Sequence, residues 1–361
     1  MRTVLKEVPE VAAQWRPRQP LAHDRSVQAR RRILLILPLA LAALTACGAS
    51  GGDGAVAARW APFVHLPGVV DLAGPRSDGS FLVAAAGHLS VLSRTGVLSP
   101  FARGPGGYST PSGTEPYITV TPASLAGDGC AFGEGAAFAL EPRGNPGVIM
   151  IGPRGQAQRF ASLPRDLFPD GIAFDTVGRF QHRLLVTATG HGGTRLFAIS
   201  CTAGVSVVTA RGPSVEGGIA VAPASFGRFG GDVIAPSETS GRLYAFLPDG
   251  KTVMAAESGL PAGVDTGIES AGFIPPGFTS AADAYLADRV SGGAHSGTNH
   301  ILRLPGQQLA RAGARPGDLL VAAEGGAKTI LVRCGTSCTV THIADGPAPA
   351  HGEGHIVFAA P

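Results

Sequence analysis

Short apolar runs, each about five residues long, alternate with turns rich in glycine and proline over most of this chain. After Trp60, no stretch repeats apolar residues at helical spacing, so the predicted elements are short β-strands. The strands fall into groups of four with turns between them. Two such groups are 171–175, 184–188, 195–199 and 205–209, then 218–222, 232–236, 242–246 and 252–256.

The strand groups repeat at about 40–50 residues, a period that indicates a β-propeller built from four-stranded blades, and an acidic residue stands near the start of each group. We expect an all-β propeller over residues 60–361. Six blades fit best, five or seven remain alternatives, and a β-sandwich is the competing fold. The long gap between Glu269 and Glu353 predicts a degenerate inner strand at 307–314. The run at 355–359 is expected to join the N-terminal blade, whose strands begin at Val69, and close the ring.

The N-terminal part has the layout of a signal peptide, because Arg30–Arg32 precede an apolar run, Ile33–Ala46, too short to span a bilayer as a helix. Leu44-Thr45-Ala46-Cys47 resembles the lipobox of bacterial lipoproteins. The alternatives are a secretory signal with an incidental cysteine, or an uncleaved anchor. The expected organisation is a leader over 1–46, a lipidated Cys47 with a flexible tether over 47–59, and the propeller over 60–361.

This resemblance implies an exported protein, held on the outer face of the cytoplasmic membrane by acyl chains on Cys47. Each buried CH₂ group of such a chain contributes about 0.8 kcal/mol. The net charge of the whole chain is +3, but residues 1–32 hold eight basic and three acidic side chains, so the rest carries about −2. A weakly acidic domain lacks the basic surface that nucleic acid requires. We therefore expect a monomer that binds a membrane, and a small polar ligand or an envelope protein, but no nucleic acid.

Four cysteines remain after Cys47, and export permits disulfide bonds. Cys334 and Cys338 lie between two strand-like runs, which predicts a bridge across a hairpin. Cys130 and Cys201 are either paired or free. A metal site made of the CxxxC pair is the rival interpretation, but no second pair of ligands stands at suitable spacing.

The segment Pro169-Asp-Gly-Ile-Ala-Phe-Asp175 resembles the inner-strand signature of six-bladed propellers of the NHL and SMP-30/gluconolactonase type. The lactonases of that group hold a divalent metal at the channel mouth with glutamate, asparagine and aspartate. The resemblance implies that Asp170 and Glu216 match such ligands. The chain has only Asn145 and Asn299, and neither begins an inner strand, so the asparagine ligands have no counterpart.

Acidic turns that begin equivalent inner strands would converge on one mouth of the central channel. Like charges there raise the pKa values of carboxyl groups, and a cation such as Ca²⁺ or another divalent ion relieves the repulsion. The alternative is structural: each carboxylate accepts backbone hydrogen bonds from a neighbouring blade. The candidates are Asp170, Glu216 and Glu269 as metal ligands, with Glu115, Glu238 and Glu353 as further ligand-binding residues.

The loops between second and third strands should open on the same face. His191 and His295 lie in such loops and are candidate catalytic bases, although exposed loop histidines without a role are common. The chain has no nucleophile elbow, HExxH motif, P-loop or dinucleotide fingerprint. The sequence therefore predicts a membrane-tethered binding or scaffolding propeller, with a metal-dependent hydrolase of lactone-like esters as the alternative.

Overall fold

The computed structural model describes residues 58–111, 113–122, 125–127 and 130–359. The predicted leader, Cys47 and residues 48–57 of the predicted tether lie outside these described residues. Ala58 and Arg59, which the sequence assigned to the end of the tether, form strand β1. Within the described part of the chain, no helix is both long enough and apolar enough to cross a membrane.

Four separate sheets each contain four antiparallel strands that follow one another along the chain, as the grouping of apolar runs predicted. A two-stranded sheet, β8 (Ala126–Gly127) and β9 (Cys130–Ala131), interrupts the second of them. The four sheets are β3 (Val69–Ala73), β4 (Phe81–Ala85), β5 (His88–Leu92) and β6 (Leu98–Phe101); β7 (Ile118–Val120), β10 (Ala137–Glu141), β11 (Gly147–Ile151) and β12 (Ala157–Ser162); β13 (Phe168–Phe174), β14 (Leu184–Gly190), β15 (Gly193–Ile199) and β16 (Val205–Gly212); and β17 (Ala220–Val221), β18 (Val233–Ser237), β19 (Arg242–Phe246) and β20 (Thr252–Glu257).

The remaining strands form one nine-stranded sheet. Its two halves are joined through a single parallel pairing, Ala271 with His355. In spatial order the strands are β1 (Ala58–Arg59), β26 (Cys338–Asp345), β25 (Thr329–Cys334), β24 (Leu319–Ala323), β21 (Ile268–Phe273), β27 (Gly352–Phe358), β22 (Ala284–Asp288), β23 (His300–Leu304) and β2 (Ala61–His65).

The all-β, propeller-like fold is confirmed, but the predicted blade count is not. The described residues show four separate four-stranded blades rather than six, because the strands expected to make two more blades share hydrogen bonds in the nine-stranded sheet. The hairpin β22–β23 lies between β21 and β24 in sequence, yet pairs with β27 in space. This insertion accounts for the long gap between Glu269 and Glu353, for which the sequence predicted an inner strand at 307–314.

The predicted inner strand at 307–314 is wrong. Residues Gly306–Arg311 form the α-helix α1 instead, which follows Pro305. Proline fixes a backbone angle that suits a helix start, and the glutamine, leucine, alanine and arginine that follow favour helix over strand. Leu309 is fully buried, so the helix is fixed to the core by its apolar face.

The last strand of the described chain, β27, and strand β2 lie in the same half of the nine-stranded sheet, whereas the first strand, β1, pairs with β26 at the edge of the other half. The C-terminal β27 pairs with β22, and β23 pairs with the N-terminal β2. Next to this half, buried Asp71 of β3 accepts hydrogen bonds from the backbone N–H groups of Ile118 at 2.7 Å and His355 at 2.7 Å. The C-terminal strand thus shares a sheet with β2, but it pairs with no strand of the first blade, β3–β6, which the sequence expected it to join.

Six hydrophobic clusters fill the spaces between neighbouring blades and between the two halves of the nine-stranded sheet. One cluster contains Phe138, Phe174 and Phe197, from two adjacent blades. Another contains Leu302 and Leu320, from opposite halves of the large sheet. Each blade is therefore stabilised by burial against its neighbours rather than by a core of its own.

The predicted disulfide bond between Cys334 and Cys338 is present, joining β25 to β26 across their turn. Cys130 and Cys201, which the sequence left as paired or free, form a second disulfide bond. It ties the chain near β9 to the turn that follows β15.

Candidate functional site

Of the five acidic residues that the sequence placed at the starts of inner strands, Glu115, Glu216, Glu269 and Glu353 converge on one cavity of about 160 Å³, and Asp170 does not line it. Side chains from the ends of second strands and from one loop complete the wall. In chain order, the residues that line it are Glu115, Glu216, Glu238, Val264, Asp265, Glu269, Arg289, Glu324, His351 and Glu353. We call this the acidic cavity.

Glycines beside these acidic residues let the inner strands approach closely. Gly217, which follows Glu216, has a φ of +85°, and a Cβ atom there would stand 2.3 Å from Cγ of Glu269. Gly354, which follows Glu353, has a φ of +69°, a region that L-residues rarely adopt. The acidic-glycine pattern in the sequence is therefore a requirement of the backbone at the point where carboxylates are brought together.

Tyr117 connects two of these carboxyl groups. Its buried hydroxyl lies 2.5 Å from Oε1 of Glu269 and also contacts Oε1 of Glu353. A phenol carries one proton, so two such contacts require a second proton on one of the carboxyl groups. Burial, and then the charge of Glu353, raise the pKa of Glu269 well above its usual value. We conclude that Glu269 holds this proton in the absence of a bound cation.

Arg289 is the one arginine among the described residues that line the acidic cavity. Its guanidinium contacts Oε1 of Glu115 and lies 3.2 Å from Oε2 of Glu353. Burial lowers the pKa of the guanidinium, but the two carboxylates outweigh burial and raise it. Arg289 therefore stays charged, and its single positive charge is shared between two of the seven acidic side chains in the wall.

His351 and Glu324 form a second buried pair. Nε2 of His351 lies 3.0 Å from Oε1 of Glu324 and 3.7 Å from Oε2 of Glu353. Burial opposes ionisation of both groups, but their mutual hydrogen bond lowers the pKa of Glu324 and raises that of His351. The second oxygen of Glu324, Oε2, is buried and has no hydrogen-bond partner among the described residues.

Glu216 and Glu238 titrate near neutral pH. Burial, followed by the charge of Asp170, raises the pKa of Glu216 to about 8. Burial and the nearby Glu324 raise the pKa of Glu238 to about 8, against a hydrogen bond from the backbone N–H of Asp265. These groups repel each other when ionised, so they take up protons at a pH at which isolated carboxyls are charged.

Asp170 lies behind the cavity rather than in its wall. It is 1% exposed, and burial raises its pKa to about 7. It influences the site through its charge, which acts on Glu216. The structure therefore brings Glu216 and Glu269 into the wall but leaves Asp170, the third predicted metal ligand, one layer further out.

Two sets of three side chains have the spacing that a metal ion requires. In one set, Glu269, Glu324 and Glu353 each place a ligand atom within 4.8 Å of the others; in the other, Asp265, Glu324 and His351 do so. All members except Asp265 are buried. These acidic groups could hold a divalent cation, the cofactor class that the sequence predicted.

The two predicted catalytic histidines lie outside the acidic cavity. His191 is exposed and lines a separate surface pocket with Asp166 and Arg195. His295 lies beside Gly325, and its Nδ1 is 3.0 Å from the carbonyl oxygen of Ala348, so it stands near the site but does not line it. The histidine within the wall is His351.

Sequence reasoning missed Arg289, Asp265, Tyr117 and His351, and it recognised Glu324 only as part of a loop. The sequence held a usable signal for Arg289 and Glu324. Each directly follows the last residue of a second strand, β22 or β24, just as the predicted residue Glu238 follows β18. His351 directly precedes β27, but nothing in its neighbourhood distinguishes it from a turn residue.

A second, larger cavity of about 500 Å³ lies at the opposite ends of the inner strands. Apolar side chains such as Leu72, Ile118, Ile172 and Phe273 form most of its wall, and His355 is the only ionisable side chain among the described residues that line it. Nδ1 of His355 lies 2.9 Å from Oδ2 of Asp71, and the charge of that aspartate contributes to a raised pKa of the imidazole, against burial. The acidic chemistry is thus confined to one end of the inner strands.

Neither the known protein families nor the curated protein sequences contain a match to this chain. Solved structures show distant similarity. A catalytically inactive virginiamycin B lyase from Staphylococcus aureus, crystallised with quinupristin, is 11% identical with a TM-score of 0.44, covering 81% of this chain and 78% of its own. A streptogramin B lyase is 12% identical with a TM-score of 0.44, covering 83% of this chain and 94% of its own.

A gluconolactonase from Xanthomonas campestris is 16% identical with a TM-score of 0.39, covering 64% of this chain and 69% of its own. TM-scores this low carry no argument about fold or chemistry. The fold assignment and the chemistry of the site therefore rest on the sheets and side chains described above.

Proposed function

We propose that this protein is a propeller-type binding module whose acidic cavity binds a divalent cation through Glu269, Glu324 and Glu353. One observation carries the proposal: a buried carboxylate oxygen of Glu324, without a hydrogen-bond partner among the described residues, stands beside two further carboxylates. A buried acceptor of this kind is costly unless something binds it.

The electrostatics of the cavity support a cation rather than an anion or a neutral ligand. Seven carboxyl groups face one arginine and one histidine, and the shared proton of Tyr117 and Glu269 shows how an ion-free wall reduces its charge. A divalent cation replaces such protons with a stronger interaction. Carboxylate oxygens in this number favour Ca²⁺ or Mg²⁺.

Export and a lipid anchor on Cys47 remain part of the proposal. The lipobox-like segment and the two disulfide bonds support an oxidising compartment outside the cytoplasm. A Cys47→Ser variant should lose incorporation of labelled palmitate and leave the membrane fraction. Adding Ser50→Cys to that variant is the control, because a cysteine three residues beyond the lipobox should stay unlabelled. Membrane retention of Cys47→Ser would contradict the anchor.

We also propose that the two halves of the nine-stranded sheet occupy the places of two blades around the channel. Each half contributes an inner strand, β21 or β27, that begins with an acidic residue of the cavity. A hydrophobic cluster packs between the halves, as clusters do between the separate blades. This arrangement would bring all the acidic starts around one axis.

The experiment on the cation compares the purified full-length protein with and without chelator. Calcium, magnesium or manganese should raise the melting temperature, and calorimetry should show saturable binding. Glu324→Gln should weaken binding at least tenfold, whereas Glu257→Gln, on the exposed outer strand β20, should leave it unchanged. Identical melting temperatures in chelator and in each of the three cations would refute the proposed site.

A second candidate function is hydrolysis of lactone-like esters, with the cation polarising the carbonyl group. The observation that favours it is Glu216, which lines the same cavity and titrates at about 8, close to the optimum for a general acid or base. A panel of lactones assayed by pH-stat tests this. Glu216→Gln should abolish turnover but keep cation binding. If the protein binds a cation but hydrolyses no lactone, the hydrolase function is refuted and the binding-module function stands.

A further inference from the structure

Glu324 belongs to both sets of side chains that have metal-ligand spacing. Asp265 and His351 lie on one side of it, and Glu269 and Glu353 on the other. We propose that the acidic cavity binds two divalent cations, with the carboxylate of Glu324 as a bridging ligand between them. This inference rests on the cation site proposed above.

The geometry favours two ions over one larger coordination sphere. The ligand atoms within each set lie within 4.8 Å of one another, a separation that one ion can span. The five side chains together do not form one such group, so a single ion cannot contact all of them. A carboxylate has two oxygens, and in two-metal sites it can bind one ion with each, at a separation of about 4 Å.

The state of the Glu324 oxygens fits a bridge. Oε2 is buried and has no hydrogen-bond partner in the part of the chain that the structure describes, so one oxygen is already available. Oε1 accepts a hydrogen bond from Nε2 of His351 at 3.0 Å. When an ion binds between Oε1 of Glu324 and Nε2 of His351, the imidazole loses its Nε2 proton to solvent. The Nε2 lone pair then binds the ion.

The two positions differ in their preferred metal. Glu269, Glu324 and Glu353 offer only oxygen, which suits Ca²⁺ or Mg²⁺. Asp265, Glu324 and His351 add an imidazole nitrogen, which favours Zn²⁺ over Ca²⁺ or Mg²⁺, while their two carboxylates still suit Mn²⁺. Asp265 is exposed, so this second position faces the opening of the cavity and would exchange its ion and touch a ligand first.

The experiment measures how many Mn²⁺ ions the full-length protein binds, by equilibrium dialysis followed by elemental analysis, with Mn²⁺ alone as the probe. Two ions per chain are expected. Electron paramagnetic resonance should show that the two spins are coupled, as expected for ions about 4 Å apart. One ion per chain would overturn the second position and leave the proposed function intact. No bound ion would overturn both.

Asp265→Gly removes a ligand without straining the backbone, because Asp265 has a φ of +61° that glycine adopts freely. This variant should bind one Mn²⁺ ion, with the uncoupled spectrum of an isolated ion. The matched control is Ala203→Gly, at a φ of +66° in a distant turn, which should still bind two. Two coupled ions in Asp265→Gly would contradict the assignment of this residue.

Discussion

Asp170 provides a sharp test of the electrostatics behind the cavity, because its carboxyl is fully buried and does not line the cation site. Burial moves its pKa from 3.8 to about 7 in the folded protein. The folded state therefore binds this proton more tightly than the unfolded state. Its contribution to stability is complete below pH 3.8 and is lost as the pH rises through 7.

The size of the effect follows from the shift. One pKa unit corresponds to about 1.4 kcal/mol, so a shift from 3.8 to about 7 costs the folded state at most about 4 kcal/mol once Asp170 is ionised. An asparagine side chain cannot ionise, so the Asp170→Asn variant should lack this cost. The free energy of unfolding of the wild type should fall between pH 4 and pH 8 more steeply than that of Asp170→Asn, by up to about 1.4 kcal/mol per pH unit.

The assay is urea denaturation followed by circular dichroism at half-unit steps of pH, with a chelator present so that no cation neutralises the wall. The comparison uses slopes against pH, because any packing defect of the variant shifts all points equally. Asp166→Asn, at an exposed position in the turn before β13, is the control and should follow the wild type. Parallel slopes for Asp170→Asn and the wild type would refute the claim that burial raises this pKa.

Three further predictions concern protons, charge and cross-links. Cation binding should release at least one proton from the carboxyl beside the phenol, so calorimetric heats should change with the ionisation enthalpy of the buffer; heats independent of the buffer would contradict the shared proton. Arg289→Met should destabilise the chelated protein by about 2 kcal/mol because it leaves the buried carboxylate of Glu353 and the half-buried carboxylate of Glu115 without a counter-charge, and Ca²⁺ should recover part of the melting temperature; equal losses with and without Ca²⁺ would count against this role. Replacing both Cys130 and Cys201 by serine should cost about 4 kcal/mol, against about 2 kcal/mol for Cys334 and Cys338, because the sequence separations are 71 and 4 residues; denaturation curves of the two double variants test the order.

The alternation of short apolar runs and turns determined the strand content and the grouping in fours. Apolar runs of this length are buried here as strands packed between neighbouring blades. The repeat of the strand groups along the chain therefore does not depend on the details of the tertiary structure. The same local information identified the acidic starts of the inner strands, such as Glu216 and Glu353, and the hairpin disulfide of Cys334 and Cys338. These features depend on residues close together in the chain.

The tertiary structure decided the features that depend on distant pairing. The hairpin β22–β23 pairs with β27 rather than with its neighbours in sequence, and the parallel pairing of β21 with β27 merges two predicted blades into one sheet. That pairing is a long-range choice of hydrogen bonds, and no local pattern encodes it. A helix, α1, replaced the inner strand predicted for the same region.

The candidate site divides in the same way. Sequence spacing predicted that carboxylates would converge, but Arg289 and His351 entered the wall because strand ends and one inner-strand entry meet there in space. His191 and His295 have the residue type suited to catalysis, yet their loops leave them outside the cavity. Charge and burial at a point depend on every segment that reaches it, and only the folded chain brings those segments together.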